Sequence, residues 1–224
     1  MPDTVDSLIR AQAVLGDKPF IIDASERMSY AELDSVTATL AGALVEAGIG
    51  KGSRVGLIMP NNVGWVSLAL ALTRVGAVLV PLSTLLTQRE LVAQLQTASV
   101  RYLIAVEEFR GHRYLDDLSG LPALRQVWRA DELPLGTGTF VGDLADTVVP
   151  ADPMVIMFTS GSSGAPKGVI HSQANALGAV RSGLAARCID ADTRLYLPMP
   201  FFWVGGFAGG ILSALIAEIG RAHV

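Results

Sequence analysis

VIMFTSGSSGAPKGVIH, residues 155–171, is the most informative part of the sequence. Val155 to Phe158 have the length and the β-propensity of a short buried strand, and a loop rich in serine and glycine follows them directly. Gly161 and Gly164 allow backbone conformations in which consecutive N–H groups point into one concavity that can bind an anion. Lys167 adds a mobile cation. The pattern therefore predicts a phosphate-binding loop at the end of a strand.

Two other interpretations of this loop are less consistent with its surroundings. Its composition alone is typical of a flexible linker. A linker does not usually follow a buried strand directly and then enter a second apolar run, which here is Val169 and Ile170. The nucleotide P-loop has glycine before its lysine and a hydroxyl residue after it, whereas Pro166 and Gly168 stand at those places here.

Phe158 to Gly168 resembles the phosphate loop of the adenylate-forming superfamily, which includes acyl-CoA synthetases, peptide-synthetase adenylation domains and luciferases. The family pattern is an aromatic residue, Thr-Ser-Gly, Ser or Thr, Thr, Gly, any residue and Pro-Lys-Gly, with Ser163 here at a place where Thr is more usual. In the family this loop holds the β- and γ-phosphates of ATP while a carboxylate attacks the α-phosphorus. The resemblance implies a catalytic role for Lys167 and a phosphate-binding role for Thr159, Ser160, Gly161, Ser162, Ser163, Gly164, Lys167 and Gly168.

The same resemblance implies a function. The chain is expected to be the N-terminal fragment of an ATP-dependent carboxylate–CoA ligase, which forms an acyl-adenylate and then a thioester. ATP, Mg²⁺ and CoA are the implied cofactors, a small carboxylic acid is the implied substrate, and no metal ligand is assigned. The missing C-terminal domain of the same enzyme is the implied partner, and the fragment alone is expected to be inactive. Two alternatives stay open: an adenylation domain that loads a carrier protein, and a non-catalytic phosphate- or nucleotide-binding module.

A second motif points to a substrate pocket. RLYLPMPFFWV, residues 194–204, precedes Gly205-Gly206 and resembles the family motif in which a strand ends in a loop that lines the carboxylate pocket. The resemblance implies that Phe202, Trp203 and Gly205 line this pocket. Many acyl-CoA synthetases carry histidine where Trp203 stands, and a tryptophan wall would suit an apolar acyl or aryl acid. Considered alone, aromatic residues in such a run are typical of a hydrophobic core.

Alternating strand and helix patterns predict the fold class. Capping boxes of the form S/T-x-x-E start helices at Ser29 and Thr87, and apolar runs at 55–59, 77–81 and 100–106 predict buried strands. This alternation predicts an α/β fold with a mostly parallel sheet covered by helices on both faces. By resemblance, it is the N-terminal part of the large domain of adenylate-forming enzymes, and it is incomplete.

The domain organisation is predicted in three parts. Residues 1–150 form a first α/β subdomain with an irregular connecting segment, and residues 151–217 begin a second α/β subdomain that carries the phosphate loop. Residues 218–224, EIGRAHV, resemble the translation of sequencing-adapter DNA, so we expect a non-native tail. The alternative is that Gly220 ends a helix before a strand.

Composition limits the classes of protein that the chain can represent. Its 224 residues are 50% hydrophobic with a net charge of −4, enough for a sizeable core. The acidic balance, without a run of lysine or arginine, predicts no nucleic-acid partner. A single cysteine, Cys188, excludes an internal disulfide and fits a reducing compartment. The N-terminus lacks the basic and apolar regions of a secretory signal, so we expect a cytoplasmic protein.

One stretch, residues 195–217, is long and uncharged enough to suggest a membrane span. Pro198, Pro200 and the glycine pairs at 205–206 and 209–210 predict instead that it is broken into a loop and a short helix. We therefore expect no membrane span.

Overall fold

The structure is a computed structural model that describes residues 3–133, 142–159, 166–219 and 221–223, the last of these as backbone only. The α-helices are α1 Val5–Gln12, α2 Tyr30–Glu46, α3 Val63–Arg74, α4 Gln88–Thr97, α5 Gly142–Asp146 and α6 Gln173–Leu184. Short 3₁₀ turns follow α1 at Ala13–Leu15 and α6 at Ala185–Arg187. Residues 204–216 form one composite helix, with α-helical ends and a π-helical centre at Phe207–Leu212.

The strands form three sheets. They are β1 Pro19–Ile22, β2 Arg27–Ser29, β3 Arg54–Ile58, β4 Val78–Pro81, β5 Tyr102–Ala105, β6 Glu108–Phe109, β7 His112–Arg113, β8 Gln126–Arg129, β9 Pro153–Thr159, β10 Lys167–Ser172, β11 Arg194–Tyr196 and β12 Arg221–His223. The largest sheet has the order β10-β9-β4-β3-β5-β8, and only its edge pair β10–β9 is antiparallel. The predicted mostly parallel sheet is therefore confirmed.

Helices cover both faces of this sheet. Successive residues of a strand point to opposite faces, so Leu79 of β4 belongs to the core under α1, α2, α3 and α6. Its neighbours Val78 and Val80 point the other way and pack with Leu91 and Leu95 of α4. The predicted covering of the sheet by helices on both faces is confirmed.

A second sheet joins distant parts of the chain in the order β11-β12-β1-β2. β12 lies parallel to both β1 and β11, so residues 221–223 form a strand after the composite helix. Both large sheets contain strands from before and after residue 150. The division of the chain at residue 150 and the non-native origin of residues 218–224 stay predictions.

Local sequence signals fix where several helices begin. The predicted capping boxes are confirmed at Ser29 and Thr87, whose hydroxyls accept from the third helical N–H while the third-residue glutamate accepts from the cap backbone. Ser172 caps α6 by accepting from the N–H of Asn175 at 3.1 Å. Each cap satisfies an N–H that the helix itself cannot pair.

The predicted division of residues 195–217 into a loop and a short helix is confirmed, but the contribution of the two glycine pairs to it is wrong, because all four glycines lie inside the composite helix. A Cβ atom at Gly206 would lie 2.0 Å from the carbonyl oxygen of Pro200, and one at Gly210 would lie 2.0 Å from Leu197 Cδ2. Glycine is needed here for close packing of the helix against residues 197–200. No helix within the described residues is long and apolar enough to cross a bilayer.

Buried charges join the first three helices. The guanidinium of Arg74, at the end of α3, is 1% exposed and lies 2.7 Å from the Asp6 carboxylate of α1. It also donates to the Asp34 carboxylate and to the Thr37 hydroxyl of α2, both at 2.8 Å. Asp6 is nearly as buried as Arg74 and pairs with the half-exposed Arg10 at 2.8 Å as well, so Arg74 is the buried one of its two cationic partners.

We predict that Arg74→Met lowers the free energy of unfolding of the chain by about 3 kcal/mol, because it leaves the buried Asp6 carboxylate with only the half-exposed Arg10 as its partner. The double variant Arg74→Met/Asp6→Leu should be more stable than Arg74→Met alone, since the poorly compensated carboxylate is removed. Urea denaturation measures both, with Arg89→Met as the control at an exposed position. A loss below about 1 kcal/mol for Arg74→Met would contradict this role.

A second ion pair ties the turn before β3 to the segment before β9. Lys51 Nζ lies 2.7 Å from the Asp152 carboxylate and donates to the carbonyl of Thr147 at 2.7 Å. Burial raises the pKa of Asp152, but the hydrogen bonds from Lys51 and from the N–H of Val149 outweigh it, and this pKa lies below its ordinary value. The stabilisation is therefore present above the ordinary carboxyl pKa and is lost as the pH falls through the folded value.

Replacing Lys51 should weaken the dependence of the free energy of unfolding on pH in the acidic range. Between about pH 6 and pH 3 we expect the free energy of unfolding to fall less steeply for Lys51→Met than for the wild type, by up to about 1 kcal/mol. The measurement is urea denaturation across this range, again with Arg89→Met as the charge-matched control. Equal slopes for the wild type and Lys51→Met would show that the pair does not set the pKa of Asp152.

Candidate functional site

The residues on either side of the predicted phosphate loop belong to two paired strands, called the β9–β10 hairpin below, and the end of this hairpin near Thr159 and Lys167 is called its tip. β9 and β10 pair antiparallel, and Thr159 opposite Lys167 is the pair nearest the loop. The apolar run that follows Lys167, for which the sequence predicted no particular element, is the second strand of this hairpin. The hairpin thus presents a hydroxyl and an amine at its end. Five predicted phosphate-binding residues lie outside the described residues: Ser160, Gly161, Ser162, Ser163 and Gly164.

The hairpin tip lies at the carboxyl edge of the parallel sheet. β9 runs parallel to β4, with Val155 opposite Leu79, so both strands end at the same edge. This edge is where ligands bind in open α/β sheets. Thr159 and Lys167 are both exposed, and no carboxylate of the described residues forms an ion pair with Lys167. A hydroxyl and an uncompensated cation at this edge are a chemically suitable donor set for a phosphate group.

Gly168 allows the two strands of the hairpin to lie close together. A Cβ atom added at this position would lie 2.7 Å from Cγ2 of Ile156, which is buried in the core on the α4 side of the sheet. The predicted role of Gly168 in binding phosphate is untested, but its lack of a side chain has a direct packing reason.

An apolar cavity of about 330 Å³ lies beside the hairpin, between β9, α6 and the composite helix. Val155 and Met157, which face away from α4, form part of its wall, together with Gly205 from the composite helix. The described residues that line it carry apolar side chains or none, apart from His171 and Arg187. The cavity wall therefore reaches within two residues of the hairpin tip.

The three predicted pocket residues occupy different places. Gly205 lines the cavity. Phe202 is buried, and its ring meets that of Trp203 edge-on with 5.8 Å between their centroids. Trp203 is 54% exposed, and neither aromatic residue is among the described residues that line the cavity. Their assignment to a substrate pocket stays a prediction.

His171 borders the cavity and is held by an amide, not by a carboxylate. Its Nδ1 lies 2.8 Å from Oδ1 of Asn175, one turn into α6. An amide oxygen only accepts, so the neutral ring is assigned with its proton on Nδ1 and with Nε2 as an acceptor. Within the described residues His171 therefore has no carboxylate partner of the kind that orients a histidine general base.

Two positioning residues were missed by the sequence analysis. Asn61, just after β3, donates to the carbonyl of Met199 at 2.8 Å and accepts from the N–H of Phe201 at 2.9 Å. It therefore fixes the loop before the composite helix against the carboxyl edge of the sheet.

The second of these residues is Gln173, which is fully buried. Its side chain accepts from the N–H of Val5 at 2.9 Å and donates to the carbonyl of Thr73 at 3.1 Å. It thereby provides hydrogen-bond partners for a free N–H at the start of α1 and for a carbonyl at the end of α3.

No metal site can be assigned. Within residues 3–133, 142–159 and 166–219 no group of three or more histidine, cysteine, aspartate or glutamate side chains is arranged to hold a metal ion. The Mg²⁺ that the resemblance implies is given no ligand from these residues.

Comparison with known proteins identifies related sequences. The family model described as AMP-binding enzyme matches residues 9–219. One relative, from Mycobacterium tuberculosis, is a CoA ligase for a 7a-methyl-1,5-dioxo-octahydro-1H-inden-4-yl propanoyl group; it is 34% identical, over 96% of this chain and 45% of its own length. A long-chain-fatty-acid–CoA ligase of the same organism is 31% identical over 84% of this chain and 38% of its own length. The chain thus spans less than half the length of these relatives.

Solved structures share the fold. The N-terminal domain of FACL13 from Mycobacterium tuberculosis, determined with an inhibitor, superposes with a TM-score of 0.79 at 24% identity, over 99% of this chain and 57% of that one. VinN superposes with a TM-score of 0.82 at 23% identity, over 99% of this chain and 56% of that one. At this identity the likeness concerns the fold alone, which is that of adenylate-forming enzymes in their N-terminal region.

We predict that Gly168→Ala lowers the free energy of unfolding by about 1–3 kcal/mol, because the new methyl group overlaps Ile156. The double variant Gly168→Ala/Ile156→Ala should lose less than the sum of the two single losses, since Ile156→Ala removes the overlapping atom. Gly178→Ala is the control, because its Cβ would meet no atom within 4 Å and the change should stabilise α6 by up to about 1 kcal/mol. Additive losses at 168 and 156 would contradict the packing role.

Proposed function

The chain belongs to the family of AMP-binding enzymes, and we propose that it is the N-terminal portion of an ATP-dependent carboxylate–CoA ligase that forms an acyl-adenylate and then a thioester with CoA. The observation that carries the proposal is the β9–β10 hairpin, which holds Thr159 and Lys167 opposite each other at the carboxyl edge of the parallel sheet. CoA ligases among the relatives support the reaction class. The expected cytoplasmic location belongs to the same proposal.

The hairpin tip would hold the phosphates of ATP. Thr159 would contribute a hydroxyl and Lys167 a cation, and the loop residues between them, 160–164, would contribute the N–H groups and hydroxyls that the sequence predicts. ATP supplies the adenylyl group that activates the carboxylate, and CoA supplies the thiol that accepts the acyl group.

Lys167 would act through its charge. Pyrophosphate carries several negative charges when it leaves, and an ammonium group that has no ion-pair partner within the described residues is available to balance part of that charge. Its place at the start of β10, opposite Thr159, limits where the amine can reach. We therefore propose Lys167 as a catalytic residue of the parent enzyme.

The apolar cavity would hold the body of the carboxylic acid. Its volume of about 330 Å³ is at the lower end of the range for small-molecule sites, and its lining is almost entirely apolar. The relative that acts on a methylated bicyclic diketone carrying a propanoyl chain supports a compact, ring-containing acid for this cavity. Gly205 contributes to the cavity wall, and Phe202 and Trp203 are proposed to close it in the complete enzyme.

The test is ATP–pyrophosphate exchange by the full-length protein that the parent gene encodes, with a panel of apolar carboxylic acids. Exchange that depends on the acid, followed by thioester formation with CoA, is the expected result. Exchange followed by transfer only to a carrier protein would favour the carrier-loading alternative. ATP binding without exchange for any acid would favour a non-catalytic nucleotide-binding module instead.

Lys167→Ala in the same protein should lower kcat/KM for exchange by about 10²–10³-fold, comparable to the loss of one transition-state donor in other enzymes. Lys51→Met is the control, because it also removes a lysine but lies at the Asp152 ion pair before β9. If Lys167→Ala lowers kcat/KM no more than Lys51→Met does, Lys167 has no catalytic role.

A further inference from the structure

Arg187 brings a positive charge to the wall of the apolar cavity. It ends the 3₁₀ turn after α6, and its guanidinium lies between two glycines that also line the cavity. A Cβ atom at Gly183 would lie 3.5 Å from its Nε, and one at Gly209 would lie 3.8 Å from its Nη1. With no side chain on either neighbour, the guanidinium is not covered from those two sides.

Neutral acceptors hold this guanidinium in place. Its Nε donates to the carbonyl of Gly183 at 3.1 Å, and its Nη1 donates to the carbonyl of Gly209 at 3.0 Å. Its Nη2 donates to the buried hydroxyl of Ser213 at 3.1 Å and to the carbonyl of Val180 at 3.4 Å. A guanidinium has five N–H donors, so these four bonds leave one donor for another acceptor.

Arg187 is exposed to solvent, so water shares its charge on the open side of the cavity. No carboxylate of the described residues forms an ion pair with it, and the carbonyls at the end of α6 supply only the partial negative charge of a helix C-terminus. A clamp between α6 and the composite helix would explain the four bonds, but it does not use the fifth N–H or the position of Arg187 at the edge of an apolar cavity. An acceptor oxygen on the occupant of the cavity would use both the remaining donor and the charge.

We propose that Arg187 is a specificity-determining residue that donates to a second oxygen acceptor on the acid, a ketone or a second carboxylate, distinct from the carboxylate that is activated. This inference rests on the proposed function and names the substrate class of the same site: a compact, apolar carboxylic acid with one additional carbonyl or carboxylate oxygen. The apolar remainder of the acid contacts the side chains contributed by β9, α6 and the composite helix.

The test uses the full-length protein and three matched acids: cyclohexylpropanoic acid, its ring-ketone derivative and its ring-carboxylate derivative. Exchange of ATP and pyrophosphate gives kcat/KM for each acid. The wild type should favour at least one of the two oxygen-bearing acids by about 10–100-fold, as expected for a hydrogen bond to a charged donor. Whether the ketone or the carboxylate is favoured distinguishes the two kinds of acceptor.

Arg187→Met should remove this preference and leave the plain acid within about threefold of its wild-type value. Arg187→Lys, which keeps the charge but not the planar fork, should retain part of the preference for the ring carboxylate and little for the ketone. Arg181→Met is the control, because Arg181 lies on α6 and pairs with Asp3 at 3.1 Å, and it should keep the full preference.

Two results would overturn the inference, and they are distinguishable from failure of the proposed function. If the wild type shows exchange with all three acids but no preference for the oxygen-bearing ones, the cavity does not recognise a second oxygen on the acid. If Arg187→Met lowers kcat/KM equally for all three acids, Arg187 acts as a structural clamp or on the activated carboxylate. If no acid supports exchange, the proposed function itself is contradicted, and this inference is contradicted with it.

Discussion

The rest of the site depends on how β9 is paired. On one side β9 is hydrogen-bonded in parallel to β4, and on the other it is hydrogen-bonded antiparallel to β10. The parallel pairing brings the end of β9 to the edge where β3, β4 and β5 also end, and the antiparallel pairing returns the chain at once. Thr159 and Lys167, which flank the predicted phosphate loop, are thereby held opposite each other at this edge of the sheet. A loop that binds polyphosphate needs such a support.

Buried polar groups keep the elements around this hairpin in register. Arg74 joins α1, α2 and α3, and Gln173 joins the starts of α1 and α6 to the end of α3. Asn61 attaches the loop before the composite helix to the end of β3. Each of these groups is costly to leave unpaired, so the hydrogen bonds select one arrangement of the helices that cover the sheet. The apolar cavity lies between two of the elements that they position, α6 and the composite helix.

The sequence predicted those features that depend on neighbouring residues. The capping boxes at Ser29 and Thr87 and the buried strands follow from local hydrogen bonding and from the length of apolar runs, and the structure confirms them. It did not predict the roles of Gln173 and Arg187, because their partners are distant in the chain or depend on how two helices cross. The glycines of the composite helix predicted an interruption that is absent for the same reason: glycine destabilises isolated helices, but Gly206 lies where a helix meets the backbone of Pro200.

The central claim is that main-chain amides at the hairpin tip bind the polyphosphate of a nucleotide. Its most direct test is titration of inorganic pyrophosphate into the ¹⁵N-labelled 224-residue chain, followed by the amide chemical shifts. We expect saturable shift changes that are largest for residues 159–168 and small for α4, which packs on the face of the sheet opposite to the cavity. Saturable changes that spare residues 159–168, or no change with pyrophosphate in large excess over the chain, would contradict it.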